Sequence, residues 1–218
     1  MIEHVHARAA AARSVDAVIV ATDDERIAEA VTRFGGVARM TRPDHQSGTD
    51  RLAEVAETIA CSLVVNVQVD EPLIDPATID AAVAACDGGA PMTTLRCRLR
   101  TPDDLLDPNV VKVVVDGDGY ALYFSRAPIG RDRAGDTPPA ALPVFKHVGL
   151  YVYQRPFLIA LSRLAPTPLE RAERLEQLRA LEHGHRILTT EIDHDPVGVD
   201  TPADLDHVRR LVATGAPV

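Results

Sequence analysis

Short β-branched runs alternate with amphipathic segments along most of this chain. Leu63, Val64, Val65 and Val67 read as a strand covered on both faces, and the run leads straight into Asp70-Glu71-Pro72, where the proline stops further pairing. Upstream, Ile2, Val5 and Ala9 recur at helical spacing within Met1 to Arg13. Asp16 to Ala21 predicts a strand. Thr22 to Glu25 has capping-box spacing, and the helix it opens should run to about Phe34, where Gly35-Gly36 ends it. Val37 to Met40 predicts a short strand. The polar loop Thr41 to Arg51 then leads into a helix from about Asp50 to Ala60. This order is the rhythm of a parallel sheet.

After the Leu63 strand, Asp75-Pro76 caps a helix to about Cys86, and Met92 to Arg98 alternates as a strand does. Thr101 to Leu106 predicts a short helical turn. The rhythm then changes, because Val110 to Val115 and Tyr120 to Phe124 flank the hairpin signal Asp116-Gly-Asp-Gly119. Ala127 to Pro143, rich in proline, glycine and charge, reads as a loop. Lys146 to Gln154 predicts a strand, Pro156 to Arg163 a short helix, Leu169 to Glu182 one amphipathic helix and Ile187 to Ile192 the last strand. Thr201, Pro202 and Asp204 open a final helix to about Ala213. The pattern predicts a single α/β domain over 1–218: a mostly parallel sheet with helices on both faces and an antiparallel insertion over about 110–165.

Composition narrows the function. With 46% hydrophobic but only 4% aromatic residues, the core is Val, Leu, Ile and Ala. A net charge of -9 argues against nucleic acid as the main partner, since phosphate backbones require a basic face. Of 23 basic residues only Lys112 and Lys146 are lysines; the arginines suit planar, bidentate contacts with phosphate or carboxylate. Cys61, Cys86 and Cys97 lack metal or disulfide spacing and read as small core residues in a reducing compartment. No secretory leader pattern is visible and no apolar stretch has membrane-spanning length, so the expectation is a cytoplasmic protein without membrane insertion.

Ligands of open α/β sheets sit beyond the carboxyl ends of the strands. Asp70 stands there, and so does Asp200, just ahead of the last helix. Two carboxylates from separate turns suit a shared Mg²⁺ with phosphate in its shell; the alternative at Asp70 is a solvated acidic turn. Ser47, Gly48 and Thr49 precede a helix start, where N–H groups and hydroxyls suit an anion or a base edge, or else simply cap the helix. The chain carries neither a Gly-x-x-x-x-Gly-Lys loop nor Gly-x-Gly-x-x-Gly, which argues against a P-loop ATPase or a dinucleotide dehydrogenase.

Six stretches fall in an order that resembles one family. They are His45-Gln-Ser-Gly-Thr-Asp-Arg51, Asn66-Val-Gln-Val-Asp-Glu-Pro72, Tyr120-Ala-Leu-Tyr-Phe-Ser-Arg126, His147-Val-Gly-Leu-Tyr151, Leu175-Glu-Gln-Leu-Arg179 and Gly198-Val-Asp-Thr-Pro202. Together they resemble the 3-deoxy-manno-octulosonate cytidylyltransferases, the CMP-Kdo synthetases of lipopolysaccharide synthesis, over Met1 to about Leu211. The resemblance implies a nucleotide-diphospho-sugar transferase-like fold and a Mg²⁺-dependent attack of the anomeric hydroxyl of Kdo on the α-phosphorus of CTP, giving CMP-Kdo and pyrophosphate. By position it implies that Asp70 and Asp200 bind metal and that Ser47, Gly48 and Arg51 read the cytidine. Gln68, Arg126, His147, Tyr151, Glu176 and Gln177 then hold the sugar acid. It also implies a homodimer, with the segment from about Val144 onward at the interface.

Two departures stand out. The family pattern opens with a strand and a basic loop that wraps the triphosphate, and Met1 falls where the family has an internal Met-Ile. The expectation is a natural protein longer at its start. Val69 stands where the family has glycine, beside Asp70; it either packs into the core or crowds the nucleotide. Two other functions stay open: a cytidylyltransferase for another acidic sugar, such as a sialic acid or an amino-Kdo, and a nucleotide-binding subunit without turnover.

Overall fold

The computed structural model describes residues 1–130, 143–199 and 201–214. Its first half alternates as the pattern predicts: α1 (Ile2–Ala10), β1 (Ile19–Thr22), α2 (Glu25–Arg33), β2 (Val37–Met40), α3 (Gly48–Glu57), β3 (Leu63–Asn66), α4 (Pro76–Asp87) and β4 (Met92–Arg98). The second half carries α5 (Pro102–Leu106), β5 (Lys112–Val115), β6 (Ala121–Ser125), β7 (Val144–Gln154) and α6 (Arg155–Ser162). It closes with α7 (Pro168–Glu173), α8 (Gln177–Glu182), β8 (Leu188–Glu191) and α9 (Pro202–Thr214). Most of the loop expected over Ala127 to Pro143 lies outside the described residues.

Local chemistry sets the element ends. Asp75 accepts from Ala77 N with Pro76 at the first helical position, and Thr101 and Asp104 form a reciprocal capping box on α5. Thr201 and Asp204 do the same at α9, where Asp204 N donates to Thr201 Oγ1 (3.3 Å) and Thr201 N to Asp204 Oδ2 (2.8 Å). At α2 the cap is Asp24, not Thr22; Thr22 Oγ1 instead accepts from Asp24 N (3.1 Å) and turns the chain into the helix. In the β5–β6 hairpin Asp116 Oδ1 accepts from Asp118 N and Tyr120 N, and Gly119 takes the left-handed φ of +84° that closes the turn.

The strands form two sheets among the described residues. β1 and β2 pair in parallel; the larger sheet runs β6-β5-β7-β4-β8, with β3 also paired to β7. β3, β4, β5 and β8 share one direction, and β7 runs against them. The antiparallel insertion expected over about 110–165 contains β7, and β7 lies between β3 and β4, so the larger sheet is mixed rather than mostly parallel. Parallel β3 and β4 need a third strand between them or direct contact, and the eleven residues of β7 fill that place. β1 and β3 both pack on α3 yet share no ladder.

β7 also divides the core by alternation. Phe145, Tyr151 and Tyr153 face one cluster with Ala53 and Ala56 of α3, Leu158 and Leu161 of α6, and Leu178 and Ala180 of α8. Val148, Leu150 and Val152 face the other, with Ala9 of α1, Ile79, Ala82 and Cys86 of α4, and Leu95 and Cys97 of β4. Helices thus cover both faces, as expected. Among the described residues no helix is long and apolar enough to cross a membrane.

The amphipathic helix expected over Leu169 to Glu182 is broken. Arg174 adopts a left-handed conformation (φ 54°, ψ 48°) and separates α7 from α8. Leu169 and Ala172, placed on the apolar face by periodicity, are exposed, while Glu170, Gln177 and Arg179 are buried. The reason is a buried ion pair. Arg179 donates from Nε (2.9 Å) and Nη2 (2.6 Å) to the Glu170 carboxylate and from Nη1 to Asp50 (3.4 Å). Only a chain folded back at Arg174 can bring these groups together.

Candidate active site

The site opens along one edge of β7. β4 pairs with the other edge over most of its length, but this edge is shared: β5 takes Val144 to Lys146 and β3 takes Tyr151 to Gln154. In the interval between them, His147 N donates to Val111 O (2.8 Å) and Gln68 Nε2 donates to Gly149 O (3.0 Å). A Cβ at position 149 would stand 3.0 Å from Gln68 Nε2, so a residue without one lets Gln68 lie flat on the strand.

Gln68 begins the turn that carries Asp70. Glu71 N donates to Gln68 O (3.2 Å) and Val199 N to Asp70 O (2.8 Å), so the chain returning from β8 rests on the acidic turn. Lys146 Nζ holds that returning segment through Asp195 Oδ1 (2.6 Å), and Thr78 Oγ1 meets His194 Nε2 (3.1 Å). Asp200 follows Val199 in the chain and lies outside the described residues. Val69 is 51% exposed and so does not enter the core. Among the described residues no group of three or more His, Cys, Asp and Glu side chains is arranged to hold a metal. Asp70 and Glu71 nonetheless supply hard oxygen donors at a strand's carboxyl end, the chemistry Mg²⁺ prefers.

On the α3 side of β7 lies an aromatic wall. His147 sits between Phe124 (5.0 Å between centroids) and Tyr151 (5.5 Å), with Tyr153 stacked beyond at 6.0 Å. Burial lowers the His147 pKa to about 3, so its imidazole is neutral. Thr94 Oγ1 lies 2.8 Å from Leu150 O and 3.2 Å from Val148 O, which take its one proton; it therefore accepts from His147 Nε2 (2.9 Å). The Nδ1 lone pair is left as an acceptor. Burial raises the Tyr151 and Tyr153 hydroxyls well above the usual range, with the nearby Glu176 charge a smaller cause in each, keeping them as donors.

The Ser47 to Arg51 segment forms the first turn of α3. Ser47 is the N-cap and its Oγ accepts from Asp50 N (3.1 Å), so the capping alternative describes its hydroxyl. Gly48 is the first helical residue, two ahead of the expected start, and a Cβ there would meet open space. Arg51 pairs with Asp23 (3.2 Å) and with Thr41 Oγ1, tying α3 to the ends of β1 and β2. Glu176 Oε2 accepts from Thr49 Oγ1 (2.7 Å) and Thr49 N (3.4 Å). The carboxylate thus fills one of the helix's first N–H groups and bolts the α7–α8 segment onto α3. Gln177 beside it is 4% exposed, and its Nε2 has no acceptor among the described residues. A ligand oxygen could satisfy that donor.

Arg126 stands just past β6. Its Nε donates to Glu173 O (3.1 Å) and its Nη1 to Pro108 O (3.1 Å), while its own N–H donates to Glu173 Oε2 (2.9 Å). Stretches far apart in sequence thus meet at three neighbouring places: the Gln68–Asp70 turn, the His147–Tyr151 strand, and the α3 start with Glu176.

A cytidylyltransferase family model matches residues 1–187. The 3-deoxy-manno-octulosonate cytidylyltransferase of Geobacter metallireducens is 55% identical over 217 residues, 95% of this chain and 85% of that protein. Its counterpart in Solibacter usitatus is 55% identical over 215 residues, 97% of this chain and 83% of that protein. This chain belongs to the 3-deoxy-manno-octulosonate cytidylyltransferases. A solved CMP:2-keto-3-deoxy-manno-octonic acid synthetase complexed with CTP superposes with a TM-score of 0.90 at 42% identity, covering 98% of this chain and 88% of that one.

Several groups that shape this candidate site are given another role, or none, by a motif reading. Thr94 sets the His147 tautomer, Thr49 holds Glu176, and Glu173 gathers Arg126, Ser125 and Tyr123. Thr49 and Arg179 do lie inside the quoted stretches. Thr94 lies in an ordinary strand and carries no sequence signal.

Proposed function

We propose that this chain transfers CMP from CTP to the anomeric hydroxyl of 3-deoxy-D-manno-octulosonate, releasing pyrophosphate, and that it serves lipopolysaccharide synthesis as a cytoplasmic homodimer. Its match to the CTP-complexed synthetase along nearly its whole length carries the reading. Asp70 and Asp200 are the proposed holders of Mg²⁺, which when bound neutralises phosphate charge and aligns the reacting phosphate. Ser47, Gly48 and Arg51 face the cytidine. The Ser47 hydroxyl, which accepts from Asp50 N and keeps its own proton to donate, the Gly48 N–H and the Arg51 guanidinium are the donors proposed to reach it.

The sugar acid is an anion, and the residues assigned to it divide by charge. Arg126 meets the carboxylate. Gln68, Tyr151 and Gln177 donate to sugar oxygens, and neutral His147 accepts through Nδ1. With a pKa of about 3, His147 neither pairs with the carboxylate as a cation nor takes the hydroxyl proton near neutral pH. Glu176 joins the sugar side to the cytidine side through Thr49.

The test is pyrophosphate release with CTP, Kdo and Mg²⁺, with a chelator control and a panel of acidic sugars. It is run on this chain and on a version extended upstream by the family's strand and basic loop. Turnover with Kdo that the chelator abolishes is expected. Turnover with a different acidic sugar instead overturns the substrate. Nucleotide binding without turnover in either version overturns the enzyme reading. Turnover by the extended version alone assigns triphosphate binding to the added loop.

A further inference from the structure

Arg126 is held in place by a cation that no step above uses. Lys112, the first residue of β5, is 0% exposed. Its Nζ donates to three carbonyl oxygens: Asp107 (2.8 Å), Val110 (2.6 Å) and Arg126 (2.6 Å). Fully buried lysines are rare, because desolvating an ammonium is costly, and an apolar side chain of similar length would fill the same volume without that cost. Its geometry explains the residue type. An ammonium carries three N–H groups at tetrahedral angles, one for each carbonyl here, whereas a planar guanidinium cannot meet three such acceptors. The chain uses arginine almost everywhere else, with lysine at only two of 23 basic positions.

The three carbonyls belong to two segments. Asp107 and Val110 lie in the α5–β5 loop, and Arg126 directly follows β6. The same loop receives the Arg126 guanidinium, since Pro108 O accepts from Nη1 (3.1 Å). From the other side Glu173 accepts Arg126 N (2.9 Å), Ser125 Oγ (2.7 Å) and Tyr123 Oη (3.2 Å), and its own carbonyl accepts Arg126 Nε (3.1 Å). The backbone of Arg126 is thereby fixed at both N–H and C=O, and two guanidinium nitrogens are fixed at their acceptors. Among the described residues, the outer side of the guanidinium meets no further acceptor.

We propose that Lys112 and Glu173 are a positioning pair for Arg126, setting the direction from which its free guanidinium N–H groups meet the carboxylate of the sugar acid. The proposal rests on the assignment of Arg126 to that carboxylate. Neither Lys112 nor Glu173 touches substrate; both act through the arginine. Bidentate recognition of a carboxylate depends on orientation as well as charge, so a guanidinium free to swing recognises it less well.

Titration calorimetry of the full chain tests this without turnover. Kdo and its methyl ester are titrated in the presence of CMP, and CMP is titrated alone. Arg126→Lys should weaken Kdo at least about tenfold. Lys112→Met and Glu173→Gln should each weaken it about five- to tenfold and shrink the preference for Kdo over its ester, leaving CMP affinity within about twofold. Lys112→Arg should behave like Lys112→Met. If Arg126→Lys leaves Kdo affinity unchanged, the assignment of Arg126 is wrong. If it weakens Kdo while Lys112→Met and Glu173→Gln do not, the positioning role is wrong. Equal loss of Kdo and CMP in both variants shows a merely structural role and also overturns it. Should Lys112→Met fail to fold, Glu173→Gln decides by the same readouts.

Discussion

Replacing His147 by glutamine should flatten the dependence of stability on pH between about pH 5 and 7. In the folded chain the imidazole is packed among Phe124, Tyr151 and Thr94, and burial lowers its pKa from 6.5 to about 3. In the unfolded chain it titrates at its ordinary value. Between those two values the unfolded state binds a proton that the folded state does not, so stability rises with pH through that window. The contribution is fully present above the unfolded value and is lost as pH falls toward the folded one. The slope is about 1.4 kcal/mol per pH unit, so by pH 5 the loss is about 2 kcal/mol. That is a large share of a typical stability of about 5–15 kcal/mol. Urea unfolding followed by circular dichroism at several pH values measures it. Glutamine does not titrate and can still donate to Thr94, so the difference between wild type and variant isolates one proton. A constant offset from lost packing is expected and carries no information; only the change of the difference with pH counts. Parallel pH profiles for the two proteins would refute the neutral, buried state of His147.

Other perturbations probe the rest of the site. Arg179→Met strips the counter-ion from buried Glu170 and should cost about 3–5 kcal/mol in urea unfolding, with a loss below 1 kcal/mol arguing that the pair is solvated. Thr49→Val removes the hydroxyl that holds Glu176 and should raise the KM for the sugar acid several-fold, although Thr49 lies in the cytidine segment; an effect on CTP alone would sink the link. Val69→Gly removes an exposed branched side chain beside Asp70 and should lower the KM for CTP or raise turnover, and unchanged kinetics would show that Val69 does not crowd the nucleotide.

Much of the scaffold is legible in one dimension because its causes are local. β-branched runs, capping pairs and the Asp-Gly-Asp-Gly turn fix their own backbone within a few residues, and the strands and most helices stand where these signals put them. Periodicity misjudges α7 and α8 because the groups deciding the break, Glu170, Arg179 and Asp50, attract one another across a fold that the pattern does not contain. The place of β7 between β3 and β4 is decided by strands far apart in sequence.

The site divides along the same line. Ordered motifs in the sequence single out the residue types a nucleotide, a metal and an acidic sugar need, since that chemistry belongs to the side chains themselves. Tertiary structure alone decides their states. It makes His147 a neutral acceptor by burying it, sets Glu176 on Thr49, and places an ammonium at Lys112 among three carbonyls. Desolvation and long-range hydrogen bonds depend on what surrounds a group in space, and those neighbours are named only once the chain has folded.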